Sequence, residues 1–163
     1  MFKIHNKFIL NFIFFFSLLA LISAYFIEYV LGHQPCNLCI IERFPYVIAI
    51  IIITLNTFFN NYQKITFILL SLIFFSATLI SFYHFGIEKG FFEESLVCDL
   101  DTSTKILSKA DILNELNKKT ISCKIVTFKV LGFSLATLNT IISFVLSAIT
   151  LKAFLNYGKN RQK

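Results

Sequence analysis

Charge is what this sequence has least of. Only 15% of its 163 residues are Asp, Glu, Lys or Arg, against about 25% in an ordinary soluble domain. At the same time 56% are hydrophobic and the mean hydropathy is +0.75. That is more apolar surface than a single small core can hide, which excludes a free-standing soluble globule. The net charge of +6 has no soluble basic domain to carry it, so a nucleic-acid surface is excluded too. Few ionisable residues lie inside the apolar stretches, which leaves a channel or pump without a charged pathway. The chain has no internal repeat, no low-complexity tract beyond Phe/Ile-rich runs, and no G-x-x-x-G face in those runs to mark a helix pair.

What is present is a set of four charge-free stretches, at 8–27, 44–62, 65–83 and 130–151. Each is close to the roughly 20 residues a helix needs to cross the hydrocarbon core. The expected fold is therefore an all-α membrane protein, a four-transmembrane-helix bundle treated as one domain over 1–163. The first stretch follows Lys3 and Lys7, as a secretory signal would, but a signal's apolar region is only about 7–15 residues long and ends at a small-residue site. It is expected to stay as a helix.

Basic residues sit in the N-terminal segment (Lys3, Lys7), in the short turn at Lys64, and near the C-terminus (Lys152, Lys159, Arg161, Lys163). Short basic segments remain cytoplasmic, so both termini and the Lys64 turn are expected inside. The connections at about 28–43 and 84–129 are then outside, and they hold all four cysteines. The longer one carries seven lysines balanced by seven acids. Within it, "STKILSKADILNELNKK" (103–119) spaces Ile106, Ala110 and Leu113 as a short amphipathic helix would, either on the membrane surface or in solvent.

Cysteines on the oxidising side of a membrane are the population that forms disulfides. Cys36 and Cys39, in "GHQPCNLCIIERFPY", are two residues apart. Such a pair often has a thiol pKa well below 8.5, and a strained or exposed disulfide accepts electrons readily. A zinc site usually brings together two close pairs, whereas Cys98 and Cys123 are 25 positions apart and His33 leads into the Pro35 turn. No metal is assigned. If Cys39 to Arg43 forms one helical turn, the guanidinium stands on the same face as Cys39 and stabilises its thiolate; the alternative is an anchor reaching toward lipid headgroups. Pro45 restricts that turn to a helix start or kink. Cys98 and Cys123 either brace their loop or exchange with the first pair through a mixed disulfide.

The stretch "PCNLCIIERFPY" after a first span, "YHFGIEKGFFEESLVC" closing on Cys98, and "VLGFSLATLN" after Cys123 together resemble the bacterial disulfide bond formation protein B (DsbB) family over nearly the whole chain. The chain differs from better-known members in its lysine-rich second loop and its lack of tryptophan. The resemblance implies an inner-membrane thiol:quinone oxidoreductase that reoxidises a DsbA-like periplasmic dithiol carrier. On that pattern the carrier attacks Cys98, and the released Cys123 attacks Cys36. Cys39 is freed beside a ubiquinone or menaquinone, where Arg43 and His84 contribute to the cofactor site. "KIVTFKVLGF" (124–133) is similar to the family's membrane-lying segment before the last span. Two rivals are a membrane metal-binding or structural protein with static disulfides, and a vitamin K epoxide reductase-like enzyme. In the latter family the loop cysteines precede the C-x-x-C, the reverse of the order here.

Overall fold

A computed structural model describes residues 2–58, 63–93, 98, 122–124, 128–130 and 132–159. Helix α1 runs Phe2–Tyr29, the short α2 Asn37–Ile41, α3 Phe44–Phe58, α4 Gln63–Glu88 and α5 Leu135–Lys159, with a two-stranded hairpin, β1 Lys129–Val130 and β2 Phe133–Ser134, just ahead of α5. Among the described residues, four stretches are long and apolar enough to cross a membrane: Lys7–Tyr29, Asn37–Phe58, Gln63–Glu88 and Leu135–Asn156. The segment 103–119 lies outside the described residues.

The helices pack as a bundle in which α4 and α5 share the largest interface, α1 lies on α3, and α3 on α4. Leu10 and Ile13 of α1 meet Ala49 and Ile53 of α3, Phe67, Leu70 and Phe74 of α4, and Leu146 of α5 in one buried cluster. Large apolar side chains also cover the outside, among them Phe8, Phe15, Leu72, Phe75 and Phe144. A helix that is apolar all round needs hydrocarbon as its outer solvent, which is what the four stretches provide for.

Three boundaries differ from the charge-free runs, and each has a local cause. The second apolar stretch starts at α2, so Cys39 belongs to it rather than to a loop. The chain turns at Glu42 and Arg43, whose N–H groups bond Leu38 O (2.9 Å) and Ile40 O (3.1 Å). Pro45 is then the second residue of α3, in the first turn, where its missing N–H costs nothing. Helix α4 continues past 83 to Glu88, because His84 and Ile87 are buried against other elements. It ends in a paired-bond cap: Gly90 N–H reaches Ile87 O (3.0 Å) and Phe91 N–H reaches Gly86 O (2.8 Å). Gly90 there has φ +76°, a left-handed conformation suited to glycine. Helix α5 begins at Leu135 rather than 130. Ser134 Oγ accepts the Thr137 N–H at 3.2 Å as an N-cap, and β1 and β2 pair just before it, with Lys129 opposite Ser134 and Gly132 at φ +87°.

Candidate redox site

All four cysteines meet at one end of the bundle. Cys36, Cys98 and Cys123 share a buried cluster with Leu38 and Ile87, and Cys39, Ile41 and Tyr83 pack against it. Cys98 and Cys123 are joined as a disulfide, with Cα atoms 6.0 Å apart, while Cys36 and Cys39 are free thiols. The start of α1, the start of α4 and the end of α5 lie at the other end, where the Lys64 ammonium stands 5.6 Å over the Phe154 ring.

Pro35 and Cys36 lead straight into α2, and Cys36 is its N-cap: its Sγ accepts the Cys39 N–H at 3.3 Å. That local fold sets the two sulfurs 2.9 Å apart, in hydrogen-bond contact with each other. The sulfurs then face different surroundings. Cys36 Sγ is buried and lies 3.5 Å from His84 Nε2. Cys39 lines a cavity of about 240 Å³ between α1, α3 and α5, whose walls are mostly apolar, with Glu42, Arg43, Tyr46 and Asn139 among the polar contributors. The Cys39 thiol bond, followed by the His84 contact, lowers the Cys36 thiol from 9.0 to about 4, against burial, which pushes it up.

Arg43 reaches the cavity wall, with its guanidinium held by other groups. Nη1 donates to Glu28 Oε2 at 2.5 Å, and the guanidinium carbon sits 5.1 Å over the Tyr25 ring. His84, expected beside a cofactor, is not among the cavity-lining residues. It stands behind Cys36 instead, 3.9 Å from Glu88 Oε1 and 2.7 Å from Glu42 Oε1.

Glu42 is the residue that charge counting passes over as a mere counterpart of Arg43. It is 7% exposed and joins the two faces of the dithiol. Oε1 meets His84 Nδ1, and Oε2 accepts from Asn139 Nδ2 at 2.7 Å. Asn139 also donates to Ser81 Oγ at 2.7 Å and accepts from Tyr46 Oη at 2.5 Å. A carboxylate beside an apolar span, and an Asn within one, are the available cues, since such groups in a membrane segment mark function. Their partners are too distant in sequence for spacing to reveal.

The fold and site define a class: a four-span membrane protein in which a disulfide and a C-x-x-C dithiol share one buried cluster at one end. The comparisons narrow it. The family profile described as "Disulfide bond formation protein DsbB" matches residues 6–153, and the chain belongs to that family. It is 32% identical over 148 residues, 90% of this chain and 86% of the relative, to "Uncharacterized protein RP370" of Rickettsia prowazekii (strain Madrid E). No solved structure matches significantly. Membership ties this multi-pass membrane protein to disulfide bond formation by thiol oxidoreduction.

Proposed function

We propose that this protein reoxidises a DsbA-like, thioredoxin-fold dithiol carrier of the bacterial periplasm and passes the electrons to membrane quinone. The observation that carries this is the division of the cysteines. One pair is a disulfide in the same buried cluster as Cys36, and the other presents Cys39 to an apolar cavity. The basic residues at the opposite end support a cytoplasmic location for both termini and a periplasmic one for the cysteines.

The relay conserves electrons at each step. A carrier thiolate attacks Cys98, forming a mixed disulfide and releasing Cys123 as a thiolate. Cys98 and Cys123 are buried in the arrangement described, so Cys98 has to become accessible for this attack. Cys123 then attacks Cys36 of an oxidised Cys36–Cys39 pair, and Cys39 leaves as a thiolate facing the cavity. The carrier's second thiol closes the carrier disulfide and frees Cys98, which attacks Cys123, re-forms the Cys98–Cys123 disulfide and releases Cys36 as a thiolate, so two electrons have moved inward. The arrangement described, with Cys36 and Cys39 reduced and Cys98–Cys123 oxidised, is the stage at which those electrons wait beside the cavity.

The cavity suits the ring of a quinone, being concave, mostly apolar and bordered by a few polar groups. Cys39, Arg43 and Asn139 would hold that ring. A bound quinone supplies a two-electron, two-proton sink of high potential. Glu28 and Tyr25 keep the Arg43 guanidinium at the cavity wall. His84 accepts a proton from Cys36 at Nε2 while its Nδ1–H is held by Glu42. His84 therefore acts on the dithiol from behind.

The test is an anaerobic titration of the purified protein with a reduced thioredoxin-fold carrier and with ubiquinone or menaquinone. Quinone reduction should be lost in Cys39→Ser, and a reduced carrier whose second cysteine is replaced by Ser should attack the Cys98–Cys123 disulfide and stay trapped as a mixed disulfide on Cys98. Undiminished quinone reduction in Cys39→Ser overturns the relay.

A further inference from the structure

We propose that the reduced C-x-x-C pair and His84 form a binding site for a divalent cation of the zinc class, with Cys36 Sγ, Cys39 Sγ and His84 Nε2 as ligands. The site goes beyond the electron relay and rests only on the geometry of the reduced pair.

The three donor atoms all lie within 4.8 Å of one another. With Zn–S of about 2.3 Å and Zn–N of about 2.0–2.1 Å, tetrahedral geometry puts sulfur and nitrogen about 3.5 Å apart, and two sulfurs about 3.8 Å apart. The observed Cys36 Sγ to His84 Nε2 distance is 3.5 Å. The sulfurs, at 2.9 Å, have to separate by about 0.9 Å. Glu88 Oε1, 3.9 Å from His84 Nε2, offers a carboxylate for a fourth position, the other choice being water.

The second observation is the state of the histidine. A metal-bound His typically gives its other ring N–H to a carboxylate, which fixes the tautomer and the ring plane. Here Glu42 Oε1 stands 2.7 Å from Nδ1, and Asn139 holds the other oxygen of that carboxylate. The Nε2 lone pair is thereby aimed at the sulfurs. Cys39 lines the cavity, which gives an ion a way in. Binding displaces the remaining thiol protons to solvent. When the same sulfurs are joined as a disulfide there is no thiolate to bind, so occupancy is tied to the reduced state, and a bound ion holds the pair out of the relay.

The experiment uses the full-length protein in detergent, reduced anaerobically, freed of reductant and titrated with Co²⁺ in the absence of quinone. One equivalent should give thiolate-to-cobalt charge-transfer bands and tetrahedral d–d bands, both erased by one equivalent of Zn²⁺. The bands should be absent from the fully oxidised protein, from Cys36→Ser and from Cys39→Ser. They should survive in a Cys98→Ser/Cys123→Ser variant, and His84→Ala should weaken binding at least about tenfold and change the d–d pattern. Reduced protein of normal helical content without these bands overturns the site. So do bands that persist in the oxidised form, or that are unchanged in His84→Ala. If Cys36→Ser or Cys39→Ser fails to fold, the reduced-against-oxidised comparison of the Cys98→Ser/Cys123→Ser variant, whose only cysteines are Cys36 and Cys39, still decides. Quinone reduction is assayed separately without metal, so failure of this site and failure of the relay are distinguishable.

Discussion

Replacing Glu42 with Gln tests whether the buried polar groups act as one unit. The change keeps the volume, so no cavity complicates the result. Glu42 makes two short contacts, to His84 and to Asn139, each 2.7 Å. A carboxylate accepts both; a glutamine accepts one and turns its NH₂ toward the other, donor against donor, unless the histidine changes tautomer. Hydrogen bonds to charged groups contribute about 1.5–3 kcal/mol, whereas double-mutant cycles between polar groups in a membrane bundle average about 0.6 and reach about 1.7. The membrane values are small because the separated helices find other partners. Few such partners exist for a carboxylate beside an apolar helix, so we expect a loss of about 2 kcal/mol. Asn139→Ala, which also leaves Ser81 and Tyr46 without this partner, should destabilise as well, and the double variant should cost less than the sum by at least about 0.5 kcal/mol. The assay is equilibrium unfolding in mixed SDS micelles followed by circular dichroism. Effects that add to within about 0.3 kcal/mol would refute a coupled network.

Other outcomes follow from neighbouring contacts. Because the folded Cys36 thiol is lowered from 9.0 to about 4, the reduced chain should keep its ultraviolet thiolate absorbance as the pH falls from 9 and lose it only near 4, with that band absent from Cys36→Ser; a band that already fades near pH 9 contradicts the shift. Glu28→Ala frees the Arg43 guanidinium from its ion pair, so it should lower kcat/KM for quinone, and Arg43→Ala should add little to the double variant in the same assay. A methyl at Gly86 would overlap the Phe92 ring and push it off Tyr83, now 5.5 Å away. Gly86→Ala should therefore speed amide exchange at Phe91 and Phe92, whose N–H groups bond Gly86 O, and unchanged protection there counts against the packing described.

The four helices are legible because hydrocarbon demands charge-free runs of one length, and few sequences provide four by accident. Their ends are less legible. Glu88 reads as part of a solvated loop, yet it faces His84, so α4 extends beyond the place where charge resumes. Residues 130–134 read as apolar helix, but Gly132 and the Ser134 cap turn them into a hairpin. The role of Cys36 and Cys39 as a reactive pair can be argued from spacing. Which sulfur faces the cavity and which faces His84 depends on the turn at Glu42 and Arg43, and on how α4 packs behind it. The Glu42, His84 and Asn139 network is hidden for a simpler reason. Its members come from three separate parts of the chain, and a lone acid, histidine or asparagine near an apolar run is as readily an interfacial anchor or a helix cap.

The long sequence interval inside that network sets a timetable for synthesis. Glu42 and Asn139 are separated by 97 residues, which a ribosome adding about 5–20 residues per second takes roughly 5–20 s to traverse. For that interval Glu42 waits beside its apolar helix without the amide that later holds it. His84 arrives about midway, and the Asn139 helix last. The end of the molecule that handles thiols is thus the last part to close, assembled only as the final helix enters the membrane.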